Sequence, residues 1–313
     1  MKNILIAGIG SIGLRHFQAA IKIKRKLNIF LFDKKDTSKL KKKYTSSHHN
    51  IFCIDKLNTI PIDLDLVIVS TNSDVRFKVT LGIIKKAKVK NIIFEKFLFQ
   101  KQKDYSSMLK LLNIKKISSW VNCPRRSQPA YIFIKKLLKN KRNCTMNVKG
   151  SNWNMGSNTI HFLDLFFFLF GEKLKLKSKK DSLIKANSYK RKKFKEFFGG
   201  IRLSFGNNCN FEAISKREKK IFFNLSINTP QISLKIKENN NQIIIKEKNK
   251  LKKFKNFYLS EIGSKNIENI LKKKNPTITP FKISLRHHLI IHKIFLEKIN
   301  STLKVKSKLC PVT

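Results

Sequence analysis

Acidic residues, cysteines and long apolar runs are all scarce in this sequence, and each shortage argues against a class of protein. The five cysteines are odd in number and form no CxxC pair, which favours reduced thiols over a disulfide framework or a zinc site. The longest apolar run, residues 162–170, is interrupted by Asp164 and is far shorter than the roughly 20 residues that span a bilayer. The N-terminus shows no signal-peptide pattern. We therefore expect a cytoplasmic protein without a membrane partner.

The shortage of acid gives the chain a formal net charge of +49, from 68 Lys and Arg against 19 Asp and Glu. Basic chains often bind nucleic acid or anionic membranes. Here, however, Lys, Ile, Asn and Phe are abundant together, as AT-rich codons favour, and Arg is rare. The lysines are spread over the whole sequence, with no basic arm and no aromatic-glycine signature. This distribution indicates solvated surface lysines and argues against nucleic acid as a partner.

Short apolar strands alternate with helical segments in the first 121 residues. Strands are predicted at 2–7, 28–32, 66–70, 91–94 and 117–121, and helices at 11–25, 74–86 and 101–112. Such alternation is typical of a parallel sheet covered by helices on both faces. We therefore predict an α/β protein in which residues 1–121 form a doubly wound, Rossmann-type domain.

The pattern changes at residue 122, where the second predicted domain begins, and this domain extends to residue 313. Helices are predicted at 130–138, 160–170 and 281–299, and strands at 145–148, 201–205, 210–214, 221–227, 232–236 and 243–245. Turn signals such as Gly206-Asn207-Asn208 separate consecutive strands. The prediction is a C-terminal α+β domain with an open, mainly antiparallel sheet. We expect this domain to bind the substrate and to join the copies of a homo-oligomer.

The first strand leads into a glycine-rich turn that matches G-x-G-x-x-G over residues 8–13. The motif is informative here because it follows a strand and opens a helix. Gly8 permits the tight turn, Gly10 lets a pyrophosphate approach the main chain, and Gly13 lets the helix pack close to the strand. Ser11 and Ile12 lie at the helix N-terminus, whose N–H groups and partial positive charge attract phosphate. These five residues predict a dinucleotide-binding site.

Asp33 ends the second predicted strand, about 20 residues beyond the third glycine of the turn. An acid at this place hydrogen-bonds the adenosine ribose and repels a 2′-phosphate, which favours NAD over NADP. Lys34 and Lys35 follow directly and are able to tolerate such a phosphate. The predicted cofactor is therefore NAD, with NADP left open.

Three segments occur in a fixed order along the chain: the turn at 8–13, the dipeptide Glu95-Lys96 after a late strand, and residues 156–164, in which a Gly-rich segment leads to His161. Together they resemble the Gfo/Idh/MocA oxidoreductase family over nearly the full length. The resemblance implies a Rossmann domain joined to an α/β domain with an open antiparallel sheet, and NAD(P)-dependent hydride transfer. It also implies that the loop after the fourth strand contacts the cofactor, which here is Ser70, Thr71 and Asn72.

Residues 122–126, 153–164 and 310–313 resemble, more narrowly, a subgroup found in bacterial surface-sugar gene clusters. That resemblance implies a sugar or sugar-derivative substrate and a role in carbohydrate metabolism, namely cell-surface polysaccharide biosynthesis. Two positions depart from the family pattern. Phe97 stands where Pro usually shapes the loop of the lysine, and Ser157 stands where an Asp often precedes the histidine by one helical turn. Both departures concern the catalytic geometry rather than cofactor binding.

Lys96 is the candidate for proton transfer because it lies near the carboxyl end of a central strand, where open α/β sheets bind ligands. Oxidation of a sugar hydroxyl needs a base for the proton, and burial among cations would lower the pKa of Lys96 toward the working range. The alternative is a surface lysine in a lysine-rich chain. Glu95 is predicted to orient Lys96 or to contact the nicotinamide ribose. His161 is either a second acid–base group or a core histidine.

Two adjacent arginines follow the junction of the predicted domains. Asn122 ends the last Rossmann strand and is predicted to contact the cofactor, so the next residues are expected at the mouth of the site. Arg125 and Arg126 offer guanidinium forks that suit a carboxylate or a phosphate, the alternative being a solvated pair. The predicted substrate is therefore a small anionic sugar or nucleotide sugar.

Further substrate contacts are predicted in the segment that resembles the family's histidine helix. Trp153 either stacks on a sugar ring or belongs to the core. Asn158 and Asp164 complete the predicted substrate contacts, and Asp164 alternatively binds the histidine. His288 and His292 are four residues apart on the last predicted helix but have no acidic or cysteine partner, so no metal site is predicted.

Two hypotheses of function follow from these residues. The first is an NAD(P)-dependent oxidoreductase that transfers a hydride to or from a sugar or sugar derivative. The second is a non-catalytic dinucleotide-binding sensor or assembly protein of the same fold, which the departures at Phe97 and Ser157 support. Cofactor turnover distinguishes the two.

Overall fold

The computed structural model describes residues 1–44, 48–139, 141–187 and 193–313. The chain divides into two compact units. We call them the N-terminal unit, Met1–Asn122 with Tyr258–Leu285, and the C-terminal unit, Cys123–Phe257 with Arg286–Thr313. The division into domains at residue 121 stays a prediction, and the structure adds that Tyr258–Leu285 belongs with the first unit.

Strands and helices alternate along the first 122 residues, as the sequence predicts. They are β1 (Lys2–Ala7), α1 (Ser11–Ile21), β2 (Leu27–Phe32), α2 (Ser38–Lys43), β3 (Asn50–Ile54), β4 (Asp63–Leu64), β5 (Leu66–Val69), α3 (Ser73–Lys86), β6 (Lys88–Val89), β7 (Asn91–Phe94), α4 (Gln102–Ile114) and β8 (Ser118–Val121). The sequence analysis did not predict β3, although residues 51–54 are all apolar; in the structure Phe52 and Cys53 are exposed.

β1 lies between β2 and β5 in the main sheet of this unit, so the strand order reverses there. The order β3-β2-β1-β5-β7-β8 is parallel throughout, and Ile4 pairs with Ile29 on one side and with Leu66 on the other. β5 is buried along its whole length, as expected for a sheet covered on both faces. Doubly wound sheets bind ligands at such a reversal, outside the carboxyl ends of the strands.

The C-terminal unit combines helices with a large sheet. Its elements up to residue 257 are α5 (Pro129–Leu137), β9 (Thr145–Ser151), α6 (Met155–Phe170), β10 (Leu176–Asp181), β11 (Ile184–Asn187), β12 (Lys195–Phe205), β13 (Cys209–Lys216), β14 (Phe222–Asn228), β15 (Ser233–Glu238), β16 (Gln242–Glu247) and β17 (Lys250–Lys255). The strand order is β10-β12-β13-β9-β14-β15-β16-β17, and β11 also pairs with β12. Neighbours are antiparallel except β9 and β13, which run parallel.

One face of this sheet packs on α6, and the opposite face carries lysines. The helix is apolar on nearly all sides and therefore buried, and Phe166 lies 5.0 Å from Phe205 and 5.8 Å from Phe211 between ring centres. In β15, Leu234 is buried while Lys235 beside it is exposed. β10 and β17 were not predicted, because they are rich in lysine and largely exposed.

The last elements are α7 (Leu259–Leu271), β18 (Thr279–Pro280) and α8 (Phe281–Leu303). α7 packs on α1, where Gly263 lies close to Ala19 and Ile267 is fully buried in the core of the N-terminal unit. β18 adds an antiparallel edge to β8. The sequence analysis placed residues 258–285 in the second domain. The contact of α7 with α1, which assigns them to the N-terminal unit, is a tertiary contact that the sequence does not show.

The predicted fold class is confirmed: a doubly wound parallel sheet in the N-terminal unit and an open, mainly antiparallel sheet in the C-terminal unit. Among the described residues, no helix is both long and apolar enough to cross a membrane.

Candidate dinucleotide and substrate sites

The three glycines of the turn have different reasons to lack a side chain. Gly8 has a φ of +92°, and a Cβ there would lie 2.6 Å from the main-chain nitrogen of Thr71. A Cβ on Gly13 would lie 1.9 Å from the carbonyl oxygen of Gly8. Gly10 differs, because a Cβ there would meet no atom within 4 Å. Packing therefore explains Gly8 and Gly13, whereas the space beside Gly10 is open to a ligand.

Ser70 fixes the shape of this turn. Its hydroxyl donates to the carbonyl oxygen of Ala7 at 3.1 Å and to that of Gly8 at 2.7 Å. Ser11 and Ile12 begin α1 and are exposed. The first main-chain N–H groups of a helix have no partner within the helix and lie at its positive end. The predicted phosphate site is thus built from a constrained turn and an accessible helix N-terminus.

Asp33 directly follows β2, and each of its two carboxylate oxygens accepts a hydrogen bond from a main-chain N–H. Its Oδ2 accepts from the N–H of Ile9 at 2.5 Å, and its Oδ1 accepts from the N–H of Lys35 at 2.9 Å. The carboxylate therefore lies beside the glycine-rich turn, as expected for a contact with the adenosine ribose. Lys34 and Lys35 are exposed.

Glu95 directly follows β7, which is separated from β1 by β5 in the sheet. Its side chain is buried, with 5% exposed. Its Oε1 lies 2.7 Å from Nε2 of His16 and accepts from Nδ2 of Asn122 at 2.6 Å. Burial alone would raise the pKa of Glu95, but its hydrogen bonds with His16 and Asn122 and the charge of His16 outweigh burial and lower the pKa. Glu95 is therefore a buried carboxylate with a fixed orientation.

Lys96 is partly buried and follows β7, next to this carboxylate. The Lys96–Phe97 peptide bond is cis, and the ring of Phe97 is fully buried. Thr71 and Asn72 lie in the loop after the neighbouring strand, β5, and are partly buried. The predicted cofactor residues of the N-terminal unit thus gather at the carboxyl ends of adjacent parallel strands. The open space at Gly10 and the position of Asp33 fit a dinucleotide.

Arg126, predicted as a substrate contact, is instead the centre of a buried ion cluster. Its Nε and Nη2 donate to Oδ2 and Oδ1 of Asp164 at 2.8 and 3.0 Å, and its Nη1 donates to Glu172 at 2.9 Å. His287 lies 3.3 Å from Asp164 and 3.4 Å from Glu172. Arg126 and Asp164 are 6% and 1% exposed, so they form a buried ion pair, and their contacts with a substrate stay predictions.

The charges of this cluster shift the pKa of its members in opposite directions. Burial would raise the pKa of Asp164, but the charge of Arg126 and the contact with His287 outweigh it and lower the pKa to about 2. Burial would lower the pKa of His287, but hydrogen bonds to Asp164 and Glu172 outweigh it and raise the pKa. Protonation of His287 balances two carboxylates against two cations.

Arg125 is less buried than its neighbour, with 22% of its side chain exposed. Its Nη1 donates to Glu238 at 2.5 Å, and Tyr131 donates to the same carboxylate. The guanidinium also lies 4.3 Å from the ring centre of Phe162, on α6. Arg125 is therefore an oriented guanidinium that remains accessible in part.

Trp153 and Asn158 serve the local structure of the segment before and within α6. Trp153 is 3% exposed, donates from Nε1 to the carbonyl of Ile214 at 2.9 Å, and packs edge-on against Phe162. Asn158 donates from Nδ2 to the carbonyl of Trp153 at 2.8 Å. Trp153 is therefore packed as a core aromatic, and its stacking on a sugar stays a prediction.

A glutamate that the sequence analysis missed lies at the N-terminus of α6. Oε2 of Glu196 accepts from the N–H of Gly156 at 2.6 Å, and its Oε1 accepts from the hydroxyl of Ser157 at 2.8 Å. A carboxylate is therefore bound to Ser157 where the family resemblance led us to expect an aspartate. His161 follows one helical turn later and is partly exposed.

His288 and His292, the α8 histidines that are four residues apart, are both buried. Among the described residues, no group of three or more His, Cys, Asp or Glu side chains has the arrangement to hold a metal ion.

A scan against protein-family models and a search of the curated proteins both find no match to this chain. Solved structures match it over nearly its full length. UDP-N-acetylglucosamine 3-dehydrogenase GnnA from Acidithiobacillus ferrooxidans is 11% identical, with 94% of this chain and 96% of that chain covered and a TM-score of 0.72. An oxidoreductase from Agrobacterium radiobacter in complex with NAD+, L-tartaric acid and magnesium is 14% identical, with 93% and 94% covered and a TM-score of 0.70.

The transcriptional regulator Gal80p from Kluyveromyces lactis has the same fold. It is 14% identical, with 96% of this chain and 92% of that chain covered and a TM-score of 0.72. At these identities the likeness shows the fold alone, and that fold is shared by the dehydrogenase, the oxidoreductase and the regulator.

Proposed function

We propose that this chain is an NAD-dependent oxidoreductase of the Gfo/Idh/MocA type that acts on the CH–OH group of a sugar or sugar derivative. The observation that carries the proposal is the difference among the three glycines, because packing explains Gly8 and Gly13 but leaves Gly10 facing open space. A pyrophosphate needs that space. The bound NAD of the oxidoreductase with this fold supports the same cofactor here.

The chain's own residues divide the work as follows. NAD supplies the hydride acceptor when it is bound. Nζ of Lys96 takes the proton of the substrate hydroxyl in oxidation and returns it in reduction. Glu95, fixed by His16 and Asn122, orients Lys96 or the nicotinamide ribose. His161, on α6, is the second proposed acid–base group.

The proposed substrate is a small anionic sugar or nucleotide sugar. Arg125 supports this, because its guanidinium is oriented by Glu238 yet is still partly exposed. Nucleotide sugars also suit the fold, since GnnA carries the name of a UDP-sugar dehydrogenase. We place the reaction in the cytoplasm, in the synthesis of cell-surface polysaccharide.

The test measures cofactor binding first and turnover second. Calorimetric titration of the full chain with NADH and with NADPH should show binding of NADH. Turnover of each member of a panel of nucleotide sugars is then measured by the absorbance of the reduced nicotinamide. If the protein binds neither NADH nor NADPH, the proposal is contradicted. Binding without turnover of any sugar would favour the second hypothesis, a non-catalytic regulator. That hypothesis is supported by Phe97, by Ser157 and by the transcriptional regulator with this fold.

We also propose that copies of the chain associate through the outer face of the C-terminal sheet. A groove of about 740 Å³ lies on this face, bordered by apolar Ile244 and Leu251 and by Lys235 and Lys246. Analytical ultracentrifugation tests the association. Ile244→Lys should shift the protein toward the monomer if this face is the interface, and a wild-type monomer at all concentrations contradicts it.

A further inference from the structure

We propose that Arg76 is a positioning residue for the nicotinamide half of the cofactor site, because it ties the loop after β5 to the loop that carries Lys96. This inference rests on the proposed function. Arg76 lies in α3 and is 2% exposed. Its guanidinium donates to the main-chain carbonyls of Thr71 and Phe97, and to that of Leu98 at 3.0 Å.

A buried guanidinium is costly unless its donors are satisfied, so its partners show what it is there to hold. In a chain that uses Lys almost everywhere, the planar fork of Arg is the group that reaches several carbonyls at once. All three of these hydrogen bonds go to main-chain carbonyl oxygens. Arg76 therefore holds the main-chain geometry of these loops.

The carbonyls that Arg76 binds belong to two loops that leave adjacent strands on the same edge of the sheet. β5 and β7 are parallel neighbours, with Val67 paired to Ile92. Thr71 follows Ser70, whose hydroxyl holds the glycine-rich turn, and Phe97 follows Lys96. One side chain thus sets the spacing between the turn's supporting loop and the proposed proton-transfer lysine.

Arg76 also offsets the departure at Phe97. A proline after Lys96 would fix its own φ, whereas phenylalanine does not. Here the carbonyls of Phe97 and Leu98 are both bound from outside the loop by the same guanidinium. The contact with Arg76 therefore restrains the main chain after Lys96, where the sequence has no proline to do so.

The strand order decides which half of a dinucleotide this restraint affects. The glycine-rich turn follows β1, and Asp33 ends β2, on one side of the reversal. β5 and β7 lie on the other side of β1. A dinucleotide whose adenosine ribose meets Asp33 extends its nicotinamide over β5 and β7. All the carbonyls that Arg76 binds lie on this side of β1, so we expect Arg76 to affect nicotinamide placement more than pyrophosphate binding.

The test compares two ligands that differ in the nicotinamide: NADH and ADP-ribose. Arg76→Lys keeps the charge but loses the fork. Affinity for NADH should fall about tenfold, the scale of one charge-assisted hydrogen bond, while affinity for ADP-ribose stays within about twofold. The fluorescence emission of bound NADH should also shift, because the nicotinamide environment changes. Arg25→Lys, at an exposed arginine in the same unit, is the control and should leave both affinities unchanged.

Equal loss of both ligands in Arg76→Lys would show a general structural role and overturn the inference, as would unchanged NADH affinity and emission. If wild type binds neither ligand, the proposed function fails, and the inference with it. Should the variant not fold, hydrogen exchange on wild type decides. NADH should slow exchange in residues 71–76 and 96–99 together, and ADP-ribose in neither. Protection of one loop without the other would contradict the tie.

Discussion

Nε2 of His16 lies 2.7 Å from Oε1 of Glu95, although the two residues are far apart in the sequence. The contact joins α1, which begins at the glycine-rich turn, to the residue that precedes Lys96. The same oxygen accepts from Asn122, which follows β8. Helix α1 and the carboxyl ends of two strands, β7 and β8, are thereby joined at one carboxylate, so Glu95 is held in place without a ligand.

Gly10→Val should abolish NADH binding. The valine side chain would occupy the open space through which a pyrophosphate approaches the turn. Calorimetric titration measures the effect. Gly206→Val is a matched control, because a Cβ on Gly206 also meets nothing within 4 Å and this glycine lies in the C-terminal unit. Wild-type affinity in Gly10→Val would rule out a pyrophosphate at the turn.

NADH should bind more tightly than NADPH, because the carboxylate of Asp33 repels a 2′-phosphate. Asp33→Asn should narrow the difference between the two cofactors. The control is Asp36→Asn, at an exposed carboxylate nearby that bonds Ser38. Equal or tighter binding of NADPH by wild type would show that Lys34 and Lys35 dominate this end of the site.

Lys96→Ala should lower turnover by roughly 10²-fold or more and leave cofactor affinity nearly intact, the usual result of losing an acid–base group. Steady-state kinetics and NADH titration on the same preparation separate the two quantities. Lys103→Ala, at an exposed lysine of α4, should leave both unchanged. Near-normal turnover in Lys96→Ala would assign proton transfer to another group, with His161 the first candidate.

The buried cluster around His287 should make stability depend on pH. The pKa of His287 is raised in the folded chain, so its contribution is fully present below the unfolded value of about 6.5 and is lost as pH rises through the folded pKa. The groups that face it are Asp164 and Glu172, with Arg126 beside them. His287→Phe removes the charge and preserves stacking on Phe167.

Urea unfolding of wild type and His287→Phe at several pH values measures this contribution. The stability difference should be largest below about pH 6.5 and should shrink as pH rises through the raised pKa of His287. A stability difference that grows with pH would contradict a protonated His287.

Asp164 should make stability depend on pH in the acid range. Its pKa is about 2 in the folded chain, so its contribution of about 2 kcal/mol to the free energy of unfolding should be lost as pH falls below about 4.

The fold and the residues at the carboxyl ends of the parallel strands were predictable, because both depend on patterns of neighbouring residues in the sequence. Alternating strands and helices give the sheet, and Gly8, Gly10 and Gly13 stand at fixed spacing after a strand. The helix α6 was predicted too short, since its first residues, Met155 to Asn158, include Gly and Asn and look like a loop. Its start depends on Glu196, which arrives from β12.

The partners of the buried charges were not predictable, because tertiary contacts choose them. Arg126 and Asp164 were both noticed, each as a substrate contact, and the sequence does not show that they bind each other. His16 and Arg76 were missed altogether. The one available signal was the rarity of arginine, which drew notice at the adjacent pair but applies equally to the single Arg76.

The two adjacent arginines should respond differently to the same substitution. Arg126 makes a two-pronged contact with Asp164 in a buried cluster, whereas Arg125 is partly exposed. Lysine keeps the charge and loses the fork in both cases. Arg126→Lys should therefore lower the free energy of unfolding by about 1.5–3 kcal/mol, the worth of a charged hydrogen bond, with KM unchanged.

Arg125→Lys should do the reverse. If its guanidinium binds the anionic group of the substrate, KM should rise roughly tenfold or more, because a charge-assisted contact of about 1.5–3 kcal/mol corresponds to roughly 10- to 150-fold in affinity. Stability should fall by less than in Arg126→Lys, since 22% of the Arg125 side chain is exposed against 6% of the Arg126 side chain. Urea unfolding and kinetics on both variants give the four values needed. A raised KM in Arg126→Lys with unchanged stability would return Arg126 to the substrate site and make its pairing with Asp164 incidental. Unchanged KM in both would remove the arginines from substrate binding and with them the argument that the sugar is anionic.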